Sequence, residues 1–148
     1  MNAVLSTAKR WALIVDDDLD LVEIISALIS GMGFKVVSAT KILDAKYKIK
    51  NQKFDFVLLD MRLGAGSGEE IIELVRQDKH EFNHTTPIIV MSGFLDLELI
   101  GRIGKDVNDI LVKPFDQKVL ADRINSVLIS PQQTLIDRRN QKKVIASF

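Results

Sequence analysis

Trp11-Ala-Leu-Ile-Val-Asp-Asp-Asp18 decides the fold, because a continuous apolar run stops abruptly there on three carboxylates. A run with no polar alternation suits a strand buried on both faces, as in a parallel sheet covered by helices. Three further runs end in the same manner. Phe56-Val-Leu-Leu59 meets Asp60, Pro87-Ile-Ile-Val-Met91 meets Ser92-Gly93, and Ile110-Leu-Val112 meets Lys113-Pro114. Neighbouring parallel strands would gather these carboxylates, a hydroxyl and an ammonium at one sheet edge, where open α/β sheets bind ligands.

The strand candidates are 11–15, 35–38, 54–59, 87–91 and 109–112 (β1 to β5 in chain order), with helical stretches α1 to α5 after them. Leu21, Ile25, Leu28 and Met32 recur at helical spacing, widened by Val22 and Ile29, and Gly33 stands where a C-cap glycine belongs. Ile42, Ala45 and Ile49 form the apolar stripe of 41–52. Ser67 is placed to cap a helix running to about Asp78, with Glu69, Glu70 and Glu73 near its positive end. The stretch 95–104 is the weakest helix, interrupted by Gly101 and Gly104. Asp116 can cap the last helix, whose stripe is Val119, Leu120, Ile124, Val127 and Leu128. Strands separated by helix-length crossovers predict a (βα)5 doubly wound parallel sheet over 11–129, in the α/β class. Residues 1–10 read as an N-terminal extension. Ser130-Pro131-Gln132-Gln133 reads as a break, and 130–148 as a solvated tail or an extra helix, with no separate effector domain.

Formal net charge is zero, with 47% hydrophobic and 27% charged residues, so no global field favours nucleic acid or anionic membrane. The chain has no cysteine, hence no disulfide framework and no thiolate metal site, which suits a reducing cytoplasm. No run approaches the ~18 apolar residues of a membrane span. A cytoplasmic protein with no direct nucleic-acid or membrane partner is expected.

The strand-end residues point to phosphoryl chemistry. Two unit charges ~4 Å apart repel by ~4 kcal/mol at an effective dielectric of 20, so Asp16 and Asp17 in a partly dehydrated cleft call for a cation. Asp60 would join them from the third strand, which this topology places beside the first. An all-oxygen set that keeps several waters is what magnesium (Mg2+) prefers. Such a metal can bridge a carboxylate and an incoming phosphoryl oxygen, while Lys113 supplies a fixed positive charge and Ser92 a hydroxyl donor.

Leu13-Ile-Val-Asp-Asp-Asp18, Val57-Leu-Leu-Asp-Met-Arg62, Gly68, Pro87-Ile-Ile-Val-Met-Ser92 and Leu111-Val-Lys-Pro-Phe115 resemble the receiver domains of two-component response regulators. The resemblance covers about 10–130, with order and separations all in agreement. It implies a flavodoxin-like sheet in the strand order 2-1-3-4-5. It also implies that Asp60 is the phosphoacceptor, taking a phosphoryl group from a sensor histidine kinase or histidine phosphotransfer protein. Asp17 and Asp60 would then bind magnesium directly, Asp16 mainly through water, and the Arg62 backbone carbonyl would complete the protein ligands. Ser92 and Lys113 would hold the phosphoryl oxygens, and phosphorylation would switch the α4-β5-α5 face toward a downstream protein or a homodimer. The chain would be a signalling phosphoacceptor rather than an enzyme, promoting its own phosphotransfer and slow autodephosphorylation. The alternative is a receiver-like interaction module with phosphate-independent or altered output.

Departures from the family pattern bear on output and lifetime. The position usually held by an inward-turning tyrosine or phenylalanine is Ile110. The loop Leu63-Gly-Ala-Gly-Ser-Gly68 lacks the proline common after the Leu63 position, and its glycines make it more mobile before phosphorylation. Arg62 and Phe94 occupy the two variable positions flanking the phosphorylation site. Both are bulky and are expected to hinder the in-line water. His80-Glu-Phe-Asn-His84 matches H-E-x-x-H literally, but zinc chemistry needs both histidines on one helix and a third ligand. A solvated loop is the better account of that stretch.

Overall fold

The computed structural model describes residues 8–77, 82–94 and 96–146. Five parallel strands, β1 (Arg10–Val15), β2 (Phe34–Ala39), β3 (Phe56–Asp60), β4 (Ile88–Ser92) and β5 (Asp109–Val112), lie side by side in the spatial order 2-1-3-4-5. Between and after them run α1 (Leu19–Gly31), α2 (Ile42–Asn51), α3 (Glu69–Gln77), α4 (Leu97–Ile103), α5 (Gln117–Ile129) and α6 (Leu135–Ala146). This is the flavodoxin-like α/β arrangement. β1 opens the chain reversal that the rule for doubly wound sheets identifies as the ligand crevice, between itself and β3.

The continuous apolar runs serve a sheet buried on both faces. Every residue of β3 and β4 is buried. Alternate residues feed two separate cores, as the strand period of two requires. Leu13, Val15, Val57, Leu59 and Val90 pack with Ile71, Ile72 and Val75 of α3 and Leu99, Ile100 and Ile103 of α4. Ala12, Ile14, Phe56, Leu58 and Met91 pack with Ile25 and Ile29 of α1 and Leu120, Ile124 and Val127 of α5.

Caps fix where helices begin. The Asp18 carboxylate accepts the Leu21 amide at 3.2 Å, and Asp116 accepts the Val119 amide at 2.8 Å. Gly33 takes φ +97° just past α1, a left-handed conformation that suits glycine. The glycine-rich segment after β3 closes as a two-rung antiparallel ladder, Arg62 opposite Ser67 and Leu63 opposite Gly66, with Gly64 at φ +58° in its turn. A side chain at Gly68 would meet the Asp60 carbonyl oxygen at 2.8 Å, so this glycine lets the loop pass against the end of β3.

Strand β3 starts two residues later than the apolar run suggests. The reason is Asn83, fully buried, whose carboxamide oxygen accepts the Phe54 amide at 2.8 Å. Its Nδ2 donates to the Ile49 and Gln52 carbonyls at 2.7 Å each. Of the H-E-x-x-H stretch, His80 and Glu81 lie outside the described residues, and Phe82–Thr85 forms a turn rather than a helix. Arg76 donates to the His84 carbonyl at 2.9 Å, anchoring that turn to α3.

The segment after α5 folds back as α6. Asn108, buried at the mouth of β5, donates to the Pro131 carbonyl at 2.7 Å, and Leu135 is buried in the α3/α4 core. Thr134 and Asp137 cap the new helix reciprocally.

Asn83→Ala would strand three buried backbone groups without partners. Chemical denaturation should show a loss of about 3 kcal/mol, at the upper end of the cost of one unsatisfied buried group. A change below the error of the urea midpoint would contradict the role assigned to Asn83.

Candidate functional site

The C-terminal ends of β1, β3, β4 and β5 converge as the sequence predicts, each delivering its polar residue to one edge. The three successive aspartates after β1 have divergent fates. Asp16 is fully buried and accepts the Asp18 amide at 2.9 Å. Asp17 is exposed and accepts the Gly64 amide at 3.2 Å, tying the β1 end to the glycine turn. Asp18 is spent on capping α1. Asp60 closes β3, nearly buried, and accepts the Arg62 amide at 3.1 Å.

Carboxylate oxygens of Asp16, Asp17 and Asp60 all lie within 4.8 Å of one another. An all-oxygen donor set of this charge fits a hard divalent cation. Facing them, the Lys113 ammonium lies 2.7 Å from Asp16 Oδ2 and 3.2 Å from Asp60 Oδ2. Lys113 is carried on the residue after β5, and its bond to Pro114 is cis. Its amide donates to the Ser92 carbonyl at 2.7 Å, which keeps the β4 and β5 ends abreast. The Ser92 hydroxyl donates to the Phe94 carbonyl at 2.8 Å.

Electrostatics here are a contest between burial and pairing. Burial raises the Asp60 carboxyl above the ordinary aspartate range; the Arg62 amide opposes this, Asp16 adds to it, and Lys113 opposes it. For Lys113, burial alone would lower the ammonium. The hydrogen bond and charge of Asp16, together with those of Asp60, outweigh it and hold the group above the ordinary lysine range.

Beside Asp60 a cleft of about 490 Å³ opens between the β3 and β4 ends, with Ser92, Lys113, Arg62 and Phe94 among its walls. Its far rim is an ion pair that sequence reading missed. Arg102 of α4 forks onto Glu69 of α3, at 2.9 and 3.3 Å. The two residues are 33 apart in sequence, and nothing in either local pattern links them. Ile110 is buried in the core with Ile103 and Val107.

This geometry defines a class, a flavodoxin-like sheet with a cluster of aspartates and one lysine at its ligand-binding edge. The response regulator receiver domain model matches residues 12–125, and the chain belongs to that family. The transcriptional regulatory protein ZraR of Klebsiella oxytoca is 30% identical over 105 residues, covering 70% of this chain and 23% of that protein. The chain thus spans about a quarter of the length of such relatives. A CheY-like response regulator receiver domain protein from Methanospirillum hungatei superposes with TM-score 0.76 at 22% identity, covering 84% of this chain and 98% of that one. The receiver domain of the sensor histidine kinase PA1611 from Pseudomonas aeruginosa superposes with TM-score 0.73 at 23% identity, covering 83% and 100%. That structure carries a magnesium ion coordinated in its active-site cleft.

In metal-free protein the raised Asp60 value gives a definite pH dependence. The folded state holds the Asp60 proton more tightly than the unfolded chain does. Its contribution to stability is therefore complete below the unfolded carboxylate value of about 4 and is lost as pH rises through the folded value. In a chelating buffer, Asp60→Asn should resist urea better than the parent at about pH 8, and the advantage should shrink toward about pH 4. Equal stability at the higher pH would contradict this account.

Proposed function

We propose that the chain is a phosphorylation-dependent signalling switch in which Asp60 takes a phosphoryl group from the phosphohistidine of a sensor kinase or histidine phosphotransfer protein. The observation that carries this reading is the Lys113 ammonium shared between Asp16 and Asp60 at the mouth of a cleft that also holds Ser92. Asp16, Asp17, Asp60 and the Arg62 backbone carbonyl would hold magnesium, and the PA1611 receiver supports that choice of metal. When bound, magnesium supplies charge neutralisation for the carboxylates and the incoming phosphoryl oxygens.

The residues then divide the work. An Asp60 carboxylate oxygen attacks phosphorus as the phosphorus–nitrogen bond of the donor breaks. The leaving imidazole keeps the electron pair and takes a proton from solvent. Lys113 exchanges an Asp60 oxygen for a phosphoryl oxygen, so its charge stays paired throughout. Ser92 turns its hydroxyl from the Phe94 carbonyl to another phosphoryl oxygen. The Phe94 carbonyl, just ahead of α4, loses its partner. The chain is in this reading a substrate that assists its own modification and slow hydrolysis, not a turnover enzyme.

Output is assigned to the α4-β5-α5 face, where Leu97, Val112 and Val119 stand exposed and could meet a downstream protein or a second copy. With Ile110 buried, α4 repacking replaces aromatic rotation as the response. No helix among the described residues is long and apolar enough to cross a membrane, which accords with a cytoplasmic setting.

Incubation with magnesium and a small acyl phosphate, followed by mass measurement, should give a single phosphate adduct that is absent in Asp60→Asn. No adduct under saturating donor would leave the phosphate-independent interaction module as the reading. Arg62 and Phe94 line the same cleft as Asp60 and obstruct the in-line approach of water. The double variant Arg62→Asn/Phe94→Ala should shorten the aspartyl-phosphate lifetime several-fold, and an unchanged lifetime would refute the obstruction.

A further inference from the structure

We infer that α6 is a phosphate-controlled element of this chain, seated on the last turn of α4 and released when Asp60 is modified. The inference rests on the phosphoacceptor reading above. Its evidence lies in where α6 is anchored. The Ile136 amide donates to the carbonyl of Gly104, the residue that ends α4, at 3.2 Å. The Leu135 amide donates to the Val107 carbonyl at 2.8 Å, in the link between α4 and β5. Leu135 itself is 6% exposed, buried in the core that holds Leu99, Ile100 and Ile103 of α4 and Ile110 of β5. On the other side, Arg138 donates to the Ser126 hydroxyl of α5 at 2.9 Å. The first turn of α6 is therefore wedged among α4, β5 and α5.

The seat is a close contact. A methyl carbon at Gly104 would come within 2.9 Å of Ile136 Cγ1, so the two elements touch, with Ile136 37% exposed. Its moving part is also the least self-sufficient helix of the domain. α4 spans only seven residues and includes Gly101, so tertiary packing rather than propensity holds it. α4 is joined to the site at its other end. The Ser92 hydroxyl holds the Phe94 carbonyl, and Asp96 two residues later caps α4 by accepting the Glu98 amide at 3.0 Å.

α4 is thus bracketed by Ser92 and Phe94 on the side of the cleft and by Gly104, Val107 and the α6 wedge at its other end. When Ser92 turns to a phosphoryl oxygen, α4 loses one of its ties at the cleft, the Glu69–Arg102 pair being another, and shifts. The Gly104–Ile136 contact is pulled apart, and the first turn of α6 undocks. α4 is the two-position element, and both the phosphoryl group and α6 bias it, so the coupling is reciprocal.

Hydrogen exchange on the full chain reads this directly, with adduct formation followed by mass in the same samples. With magnesium and a small acyl phosphate, exchange of the Leu135, Ile136 and Arg138 amides should accelerate about five-fold or more, while the α1 amides hold steady. The Asp60→Asn chain should show no acceleration. Conversely, Ile136→Ala/Arg138→Ala should raise the fraction phosphorylated at a fixed donor concentration. An adduct that forms with exchange at 135–138 unchanged overturns this inference and leaves the phosphoacceptor reading standing. Failure to form any adduct overturns both. The first measurement uses the unaltered chain, so a misfolded double variant does not shield the idea.

Discussion

One ammonium between two buried carboxylates is the constraint on which the rest of this structure depends. Asp16 and Asp60 sit on adjacent strands with almost no solvent access, and Lys113 reaches both. At ~4 Å the bare repulsion is ~4 kcal/mol for an effective dielectric of 20, comparable with a large share of a domain's stability. The arrangement survives because the three groups come from the ends of β1, β3 and β5, whose parallel registers are locked by their apolar interiors. A slip of one residue in any of these strands would turn its buried set to the wrong face. The hydrophobic core thus acts as a jig for charge. It holds an electrostatically unfavourable cluster in place at the sheet edge.

How much of this was legible in the sequence follows from the range of each interaction. The apolar runs are continuous and end on their own polar residues, so the strands and their polar ends can be read locally, whereas the strand order is carried by the family resemblance. The cap at Asp116 is equally local. Phe54 reads as strand in the sequence but lies outside it, because its amide is claimed by Asn83, 29 residues away, and an apolar run cannot announce a distant carboxamide. The Glu69–Arg102 fork is hidden for the same reason. Within Asp16-Asp-Asp18 the identity of the residues was plain but their division of labour was not. Only the fold separates one buried acid, one exposed acid and one helix cap.

The end of the chain illustrates a different limit. The stretch from Thr134 to Asp137 contains a reciprocal cap, yet its mean composition is that of a solvated helix. Docking draws on Leu135 entering the core, supported by Asn108 and by carbonyls of the α4–β5 link. Ile110 belongs to the same apolar layer as Leu135. The residue that departs from the family's aromatic pattern and the helix that lies beyond the matched region therefore share one core.

The position of Trp11 has a practical consequence. The only tryptophan of the chain stands at the start of β1, its ring beneath the Lys35 ammonium at 5.9 Å and its amide bonded to Asp55. Asp16 stands five positions further along, roughly 16 Å at the rise of a parallel strand. The native indole emission therefore reports unfolding of the sheet's N-terminal edge and is blind to events in the acidic cleft. An optical titration of metal or phosphate in this protein needs a fluorophore installed at the other end of the sheet.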